Sequence, residues 1–122
     1  MVRQPGDRLC DSTVLVDGGT GFRFELEIDG RREPAFAIRH DGVARAYLNR
    51  CAHKLVELDW LEGQFFDESR RHLICATHGA LYDPATGACI QGPCKGGRLV
   101  SLIVDERDGG VWLAESGRIM LK

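Results

Sequence analysis

The stretch Cys75-Ala76-Thr77-His78-Gly79-Ala80-Leu81-Tyr82-Asp83-Pro84-Ala85-Thr86-Gly87 decides how this chain is read. A cysteine and a histidine stand three residues apart, and glycine follows at once. An aromatic residue, Asp-Pro and a second glycine come next, which is the chemistry of turns rather than of a helix. Upstream, Cys51-Ala52-His53 repeats the pairing at a shorter spacing. The two pieces are 21 residues apart (54–74). Structureless connections beyond ~12–15 residues are uncommon unless they serve a site.

Outward from this region both flanks read as β-structure. Phe22, Phe24, Leu26 and Ile28 alternate with Arg23, Glu25, Glu27 and Asp29, the period of a strand with one buried face. Asp29-Gly30 then supplies turn chemistry. Residues 35–38 (AFAI) and 43–48 (VARAYL) flank Asp41-Gly42, a hairpin signal. Late in the chain, 99–104 (LVSLIV) is apolar and rich in β-branched residues. Asp108-Gly109-Gly110 turns it into 111–114 (VWLA), and Ile119-Met120-Leu121 can add an edge strand. Residues 54–62 (KLVELDWLE) are the one helix candidate. The middle, about 49–97, is rich in Cys, His, Gly and Pro and lacks clean alternation, so it reads as a site-bearing insertion in a β scaffold.

Composition bounds the function. The chain has 122 residues, 43% of them hydrophobic and 28% charged, which suits one domain with a real core and excludes a disordered composition. A net charge of −2 gives no basic face for nucleic acid, and Arg31-Arg32 and Arg70-Arg71 read as solvated pairs. MVRQPGDRLC has no apolar segment, and no later run approaches the ~18 apolar residues that span a bilayer. The expectation is a cytoplasmic protein without membrane contact. Five cysteines, an odd number, argue against a complete disulfide framework. In a reducing compartment, metal ligation or catalysis is then the better reading for some of them.

Two thiolates and two imidazoles can close one tetrahedral site, so a structural zinc ion is one reading of Cys51, His53, Cys75 and His78. Each loop, however, supplies one sulfur and one nitrogen, unlike the like-with-like pairs of a zinc finger. That arrangement suits two metals, with each loop giving its cysteine to one and its histidine to the other.

At these residues the sequence resembles the Rieske [2Fe-2S] proteins. The resemblance rests on C-x-H at 51–53, C-x-x-H-G at 75–79, the run Tyr82-Asp83-Pro84-Ala85-Thr86-Gly87 and the Gly92-Pro93 loop, and it covers residues 47–104. It implies an all-β, Rieske-like fold in a single domain over 1–122. The base is a small antiparallel β-sandwich or barrel (about 7–47 and 98–122), and a cluster-binding subdomain (about 48–97) is inserted into it. It also implies one [2Fe-2S] cluster, with Cys51 and Cys75 on the inner iron and His53 and His78 on the outer one. Neutral imidazoles in place of two thiolates lessen the repulsion an added electron meets, which raises the potential above that of an all-cysteine cluster.

Departures from the family carry information too. Respiratory-complex members have a second cysteine in each loop, joined as a disulfide; the matching positions here are Val56 and Thr77. Those members also place a serine at the position of Ala80, whereas their tyrosine is kept as Tyr82. Losing one hydrogen bond to the cluster while keeping the other implies a potential in the lower part of the range of roughly −150 to +300 mV. Lys54-Leu55 stands where ferredoxin-type members often have glycine; the lysine reads as solvated.

The remaining candidates have plainer readings. Cys89 and Cys94 flank the Gly-Pro loop and could pair or shield the cluster, but a reducing compartment favours two packed thiols. Cys10 reads as an ordinary thiol, His40 and His72 as surface histidines, Trp60 and Trp112 as core residues, and Phe65-Phe66 as core packing. The function implied is one-electron transfer rather than catalysis. A flavin-dependent reductase would be the donor, and a terminal oxygenase or another oxidoreductase the acceptor. A small Rieske subunit or regulatory module of a larger oxidoreductase is the alternative. An oxygenase would need a separate iron site, and only His40 and His72 are to spare.

Overall fold

A computed structural model describes residues 2–4, 6–28, 30–52, 56–77, 79–94, 96–114 and the backbone of 119–120. Twelve strands run in order: β1 (Val2–Arg3), β2 (Arg8–Asp11), β3 (Phe22–Ile28), β4 (Arg31–His40), β5 (Val43–Leu48), β6 (Leu73–Ile74), β7 (Leu81–Tyr82), β8 (Cys89–Gln91), β9 (Ser101–Leu102), β10 (Val104–Arg107), β11 (Gly110–Leu113) and β12 (Ile119–Met120). They form a six-stranded sheet in the order β1-β3-β4-β5-β9-β12 and two three-stranded sheets, β10-β11-β2 and β6-β7-β8. The fold is all-β, and the described residues contain no α-helix.

The hairpins form where the sequence places Asp-Gly. β4 and β5 pair antiparallel, and Asp41 (φ 51°) and Gly42 (φ 79°) take the two positive dihedrals a tight hairpin turn needs. The Asp17 carboxylate accepts from both turn amides, at 3.1 and 2.6 Å. Asp108 and Gly109 repeat the geometry between β10 and β11. β12 does lie at the sheet edge, against β9. The run 99–104 is not one strand: β9 pairs with β5, Ile103 breaks the run, and β10 crosses to the second sheet. The Ile103 carbonyl is taken by the Ala114 amide instead, at 2.9 Å.

β4 and β5 bury both faces. Ala35, Ala37, Ala46 and Leu48 point into one core with Phe24, Leu26, Val111 and Leu113. Phe36, Ile38 and Tyr47 point into a second core with Leu58, Phe65, Leu73 and Leu99. In that second core the Phe36 and Phe65 rings stack with centroids 3.9 Å apart. The expected core role of Phe65 therefore holds, and Phe66 packs at the edge. Cys10 lies in the first core, where burial pushes its thiol pKa up.

Two expectations fail in the segment after the first Cys/His piece. Residues 56–62 form bends and a turn, not a helix; Lys54 and Leu55 lie outside the described residues. The local amides are taken by side chains instead of preceding carbonyls: Leu58 N–H donates to Asn49 Oδ1 (2.8 Å) and Gly63 N–H to Asp59 Oδ2 (2.9 Å). With Leu58 and Asp59 turned inward, Trp60 is left 80% exposed rather than in the core. Trp112 is half-buried, with the Arg107 guanidinium 4.3 Å above its ring.

Gly87 has φ 81°, and a Cβ there would sit 2.8 Å from Tyr47 Cε1. The Tyr47 ring cannot withdraw easily, because its hydroxyl donates to Pro84 O at 2.6 Å in a buried setting. Gly87→Ala should cost about 2 kcal/mol, read from the urea midpoint. Arg39 meets Glu106 with two bonds, at 3.0 and 2.6 Å, and also donates to Leu15 O and Ser12 O. The Arg39 hydrogen bond, helped by Ser12, holds the Glu106 carboxyl below its usual range. The stabilisation from a depressed carboxylate is present above the unfolded pKa and fades as pH falls through the folded one. Glu106→Gln should lower stability by up to ~1 kcal/mol near neutral pH, with the deficit vanishing in acid denaturation series.

Candidate metal centre

The second Cys/His piece is the tip of a hairpin. β6 leads into it and β7 leaves it, paired antiparallel. The Cys75 amide donates to Ala80 O (2.9 Å) and the Gly79 amide to Cys75 O (2.7 Å). Gly79 takes φ 72°, a conformation that favours glycine and explains glycine directly after His78. The first piece follows β5, where the Cys51 amide closes a turn on Val56 O at 2.8 Å. The two loops are joined directly by Ala76 N–H to Leu58 O, 2.9 Å.

Cys51 and Cys75 come together in the second core, 1% and 0% exposed. Tyr82 from β7 reaches the first loop. Its hydroxyl accepts from the Ala52 amide (2.9 Å) and lies 3.2 Å from Cys51 Sγ. With its oxygen already used by an N–H, the hydroxyl proton is free to point at the sulfur. Burial, then the neighbouring Cys51, hold the Tyr82 hydroxyl well above its ordinary pKa, so it stays a donor. Two buried sulfurs with an O–H donor aimed at one of them fit a thiolate-bound cluster, because such a donor lowers the cost of negative charge on sulfur. His53, His78 and Lys54 lie outside the described residues.

The Gly-Pro loop closes over the second loop. Gly92 (φ 100°) packs so tightly that a Cβ would come 3.0 Å from Ala80 Cα. Ala80 itself is fully buried. Cys89 and Cys94, read from sequence as separate packed thiols, are joined as a disulfide across this loop. The turn after β8 sets their Cα atoms 5.7 Å apart, within bridging reach. The other histidines serve elsewhere: His40 lies 3.5 Å from Asp41, and His72 lies 3.5 Å from Asp67. Among the described residues, which exclude His53 and His78, no group of three or more His, Cys, Asp or Glu stands close enough to hold a metal.

Sequence reasoning missed Asn49, Asp59 and Arg23. Asn49 and Asp59 are buried polar residues beside the first loop, and Arg23 of β3 lies within 3.0 Å of Asp59, Glu57 and Glu62 carboxylates. The available signals were acids inside an apolar run (LVELDWL) and an asparagine directly after an apolar strand, two residues before Cys51.

Known proteins share this fold. The fold overlays the complex of reduced oxygenase and oxidized ferredoxin in carbazole 1,9a-dioxygenase, with TM-score 0.69, 20% identity, and 95% of this chain and 98% of that chain covered. It overlays the Sphingomonas yanoikuyae B1 ferredoxin with TM-score 0.66 and 23% identity, over 89% of this chain and 97% of that one. The terminal oxygenase of carbazole 1,9a-dioxygenase from Nocardioides aromaticivorans IC177 gives TM-score 0.65 and 18% identity, over 90% of this chain but 30% of that one. At these identities the likeness shows the fold. No curated protein matches the sequence. The Rieske [2Fe-2S] domain family matches residues 12–105, most of the chain and both cysteine-bearing loops, and the chain belongs to that family.

Proposed function

We propose that this protein is a one-electron carrier, a ferredoxin-type Rieske protein holding its [2Fe-2S] cluster on Cys51, His53, Cys75 and His78. The observation that carries the reading is the burial of Cys51 and Cys75 in one core with the Tyr82 hydroxyl 3.2 Å from Cys51 Sγ. The bound cluster supplies a reversible one-electron couple. The chain's part is to hold the sulfurs rigidly, keep water from them and offer a hydrogen bond where charge gathers on reduction.

The protein is a carrier and not an enzyme. A flavin-dependent reductase supplies the electron, and a terminal oxygenase accepts it. Cover of 97% of a ferredoxin's length at TM-score 0.66 supports a ferredoxin component. Val56 and Thr77 leave no place for the respiratory-type disulfide; the Cys89–Cys94 bridge lies on the Gly-Pro loop instead. The division into a base (about 7–47 and 98–122) and a cluster-binding part (about 48–97) is supported by the two cores on opposite faces of β4 and β5. Among the described residues no helix is long and apolar enough to cross a membrane.

The deciding experiment is electron paramagnetic resonance on dithionite-reduced protein, with iron and acid-labile sulfide assays. The signal of a mixed sulfur–nitrogen cluster is expected; a colourless protein containing zinc and no sulfide overturns the reading. Ala80→Ser restores the hydroxyl that respiratory members place here and should raise the midpoint potential. A redox titration with an unchanged or lower midpoint rejects that correspondence.

A further inference from the structure

A buried charge needs a reason to be there, since an isolated one costs several kcal/mol. Among the described residues, two polar side chains are buried, Asn49 and Asp59, and the Asp59 side chain is fully enclosed. They lie against each other: Asn49 Nδ2 donates to Asp59 Oδ1 at 2.9 Å. Each remaining oxygen accepts one backbone N–H. Asn49 Oδ1 accepts the Leu58 amide at 2.8 Å, and Asp59 Oδ2 accepts the Gly63 amide at 2.9 Å. Arg23 Nε sits 3.0 Å from the same Oδ2 as an ion contact. Only one orientation of the Asn49 amide satisfies both a donor at Leu58 and an acceptor at Asp59.

The two ligand loops meet through this pair. The Asn49 backbone N–H donates to Pro34 O of β4 at 2.8 Å, and Cys51 follows two residues later. Asn49 holds Leu58 by its N–H, and Leu58 holds the Ala76 amide by its carbonyl at 2.9 Å. Ala76 directly follows Cys75. Three hydrogen bonds therefore run from β4 to the second loop, and a shift in any of them changes where one cysteine stands relative to the other.

We infer that Asn49 and Asp59 are positioning residues, a buried donor–acceptor strut that sets the spacing of the Cys51 and Cys75 loops, with Arg23 tying it to β3. This rests on the proposal that both cysteines hold the cluster. Stability alone does not call for such a pair, because well-packed apolar residues of similar volume do as well or better. What the polar pair adds is direction, since each atom accepts only one kind of partner.

The test swaps donor and acceptor. Asn49→Asp keeps an acceptor for the Leu58 amide but sets two carboxylates face to face. The cluster should then bleach about ten-fold faster under a ferrous chelator, and the g-values of the reduced protein should move. The double variant Asn49→Asp/Asp59→Asn reverses the pair: residue 59 now donates, residue 49 accepts, and the Gly63 amide keeps an oxygen. It should return the g-values to wild type and the bleaching rate to within roughly two-fold. Glu106→Gln, far from the strut, is the control for general destabilisation and should leave the g-values unmoved. A single variant that matches wild type in both readouts overturns the inference, as does a folded double variant that stays displaced. If Asn49→Asp retains no cluster, recovery of cluster in the double variant decides for the strut and failure to recover decides against it. If wild type itself holds no iron and sulfide, the electron-carrier proposal falls, and amide hydrogen exchange at Leu58 and Ala76 still tests the strut. Protection in wild type and the double variant, lost in Asn49→Asp, supports it; equal exchange in all three overturns it.

Discussion

Replacing Cys51 or Cys75 by alanine should remove the cluster altogether, with iron and acid-labile sulfide falling to background and the visible absorption lost. Both sulfurs are buried, so no exposed thiol or water can take over the vacated position at low cost. The loss should not stop at the metal. Backbone support is thin, with Ala76 N–H to Leu58 O between the loops and Cys51 N–H to Val56 O closing the first one, and metal binding and folding of such a site are linked. Faster proteolysis between residues 49 and 97 is the second expected readout. A variant with full iron content and an unaltered spectrum would show that the cysteine replaced in it is not a ligand.

Tyr82→Phe should act on the potential and on stability together. The hydroxyl 3.2 Å from Cys51 Sγ donates best when the sulfur is most negative, which is the reduced state. Taking the differential strength as about 1 kcal/mol, its loss lowers the midpoint by roughly 40 mV. The same change strips the Ala52 amide of its acceptor at 2.9 Å. An orphaned, partly buried N–H adds a stability loss of about 1–3 kcal/mol. A redox titration and a urea melt read the two effects separately. A midpoint that stays or rises would show that the hydroxyl serves only the Ala52 amide.

Much of this protein is legible in its sequence where one physical rule acts alone. Phe22, Phe24, Leu26 and Ile28 alternate with charged residues because one side of β3 is buried, and they face the first core as that pattern requires. The Asp-Gly pairs sit at the hairpin turns because few other residues tolerate successive positive φ values. Legibility fails where two demands meet. Residues 35–38 show no polar alternation, because both faces of β4 are covered, and the sequence alone does not say which face belongs to which core. The full length of β4 was hidden because Arg31, Arg32 and Glu33 look like a solvated turn. Residues 54–62 carry apolar spacing that suits a helix, yet Asn49 captures the Leu58 amide from nine residues away, which no local pattern reveals. The Cys89–Cys94 pairing likewise depends on a turn geometry and not on composition.

The shared wall between the two cores sets how this protein fails. Phe36, Ile38 and Tyr47 are shielded from water by the loops that carry Cys51 and Cys75. Once oxidation destroys the iron centre and those loops drift, the opposite face of the wall remains covered and the strands persist. What is left is a firm β-ribbon with a bare aromatic side, a shape prone to stick to its own kind. Loss of the cluster should therefore appear as concentration-dependent light scattering rather than as reversible melting.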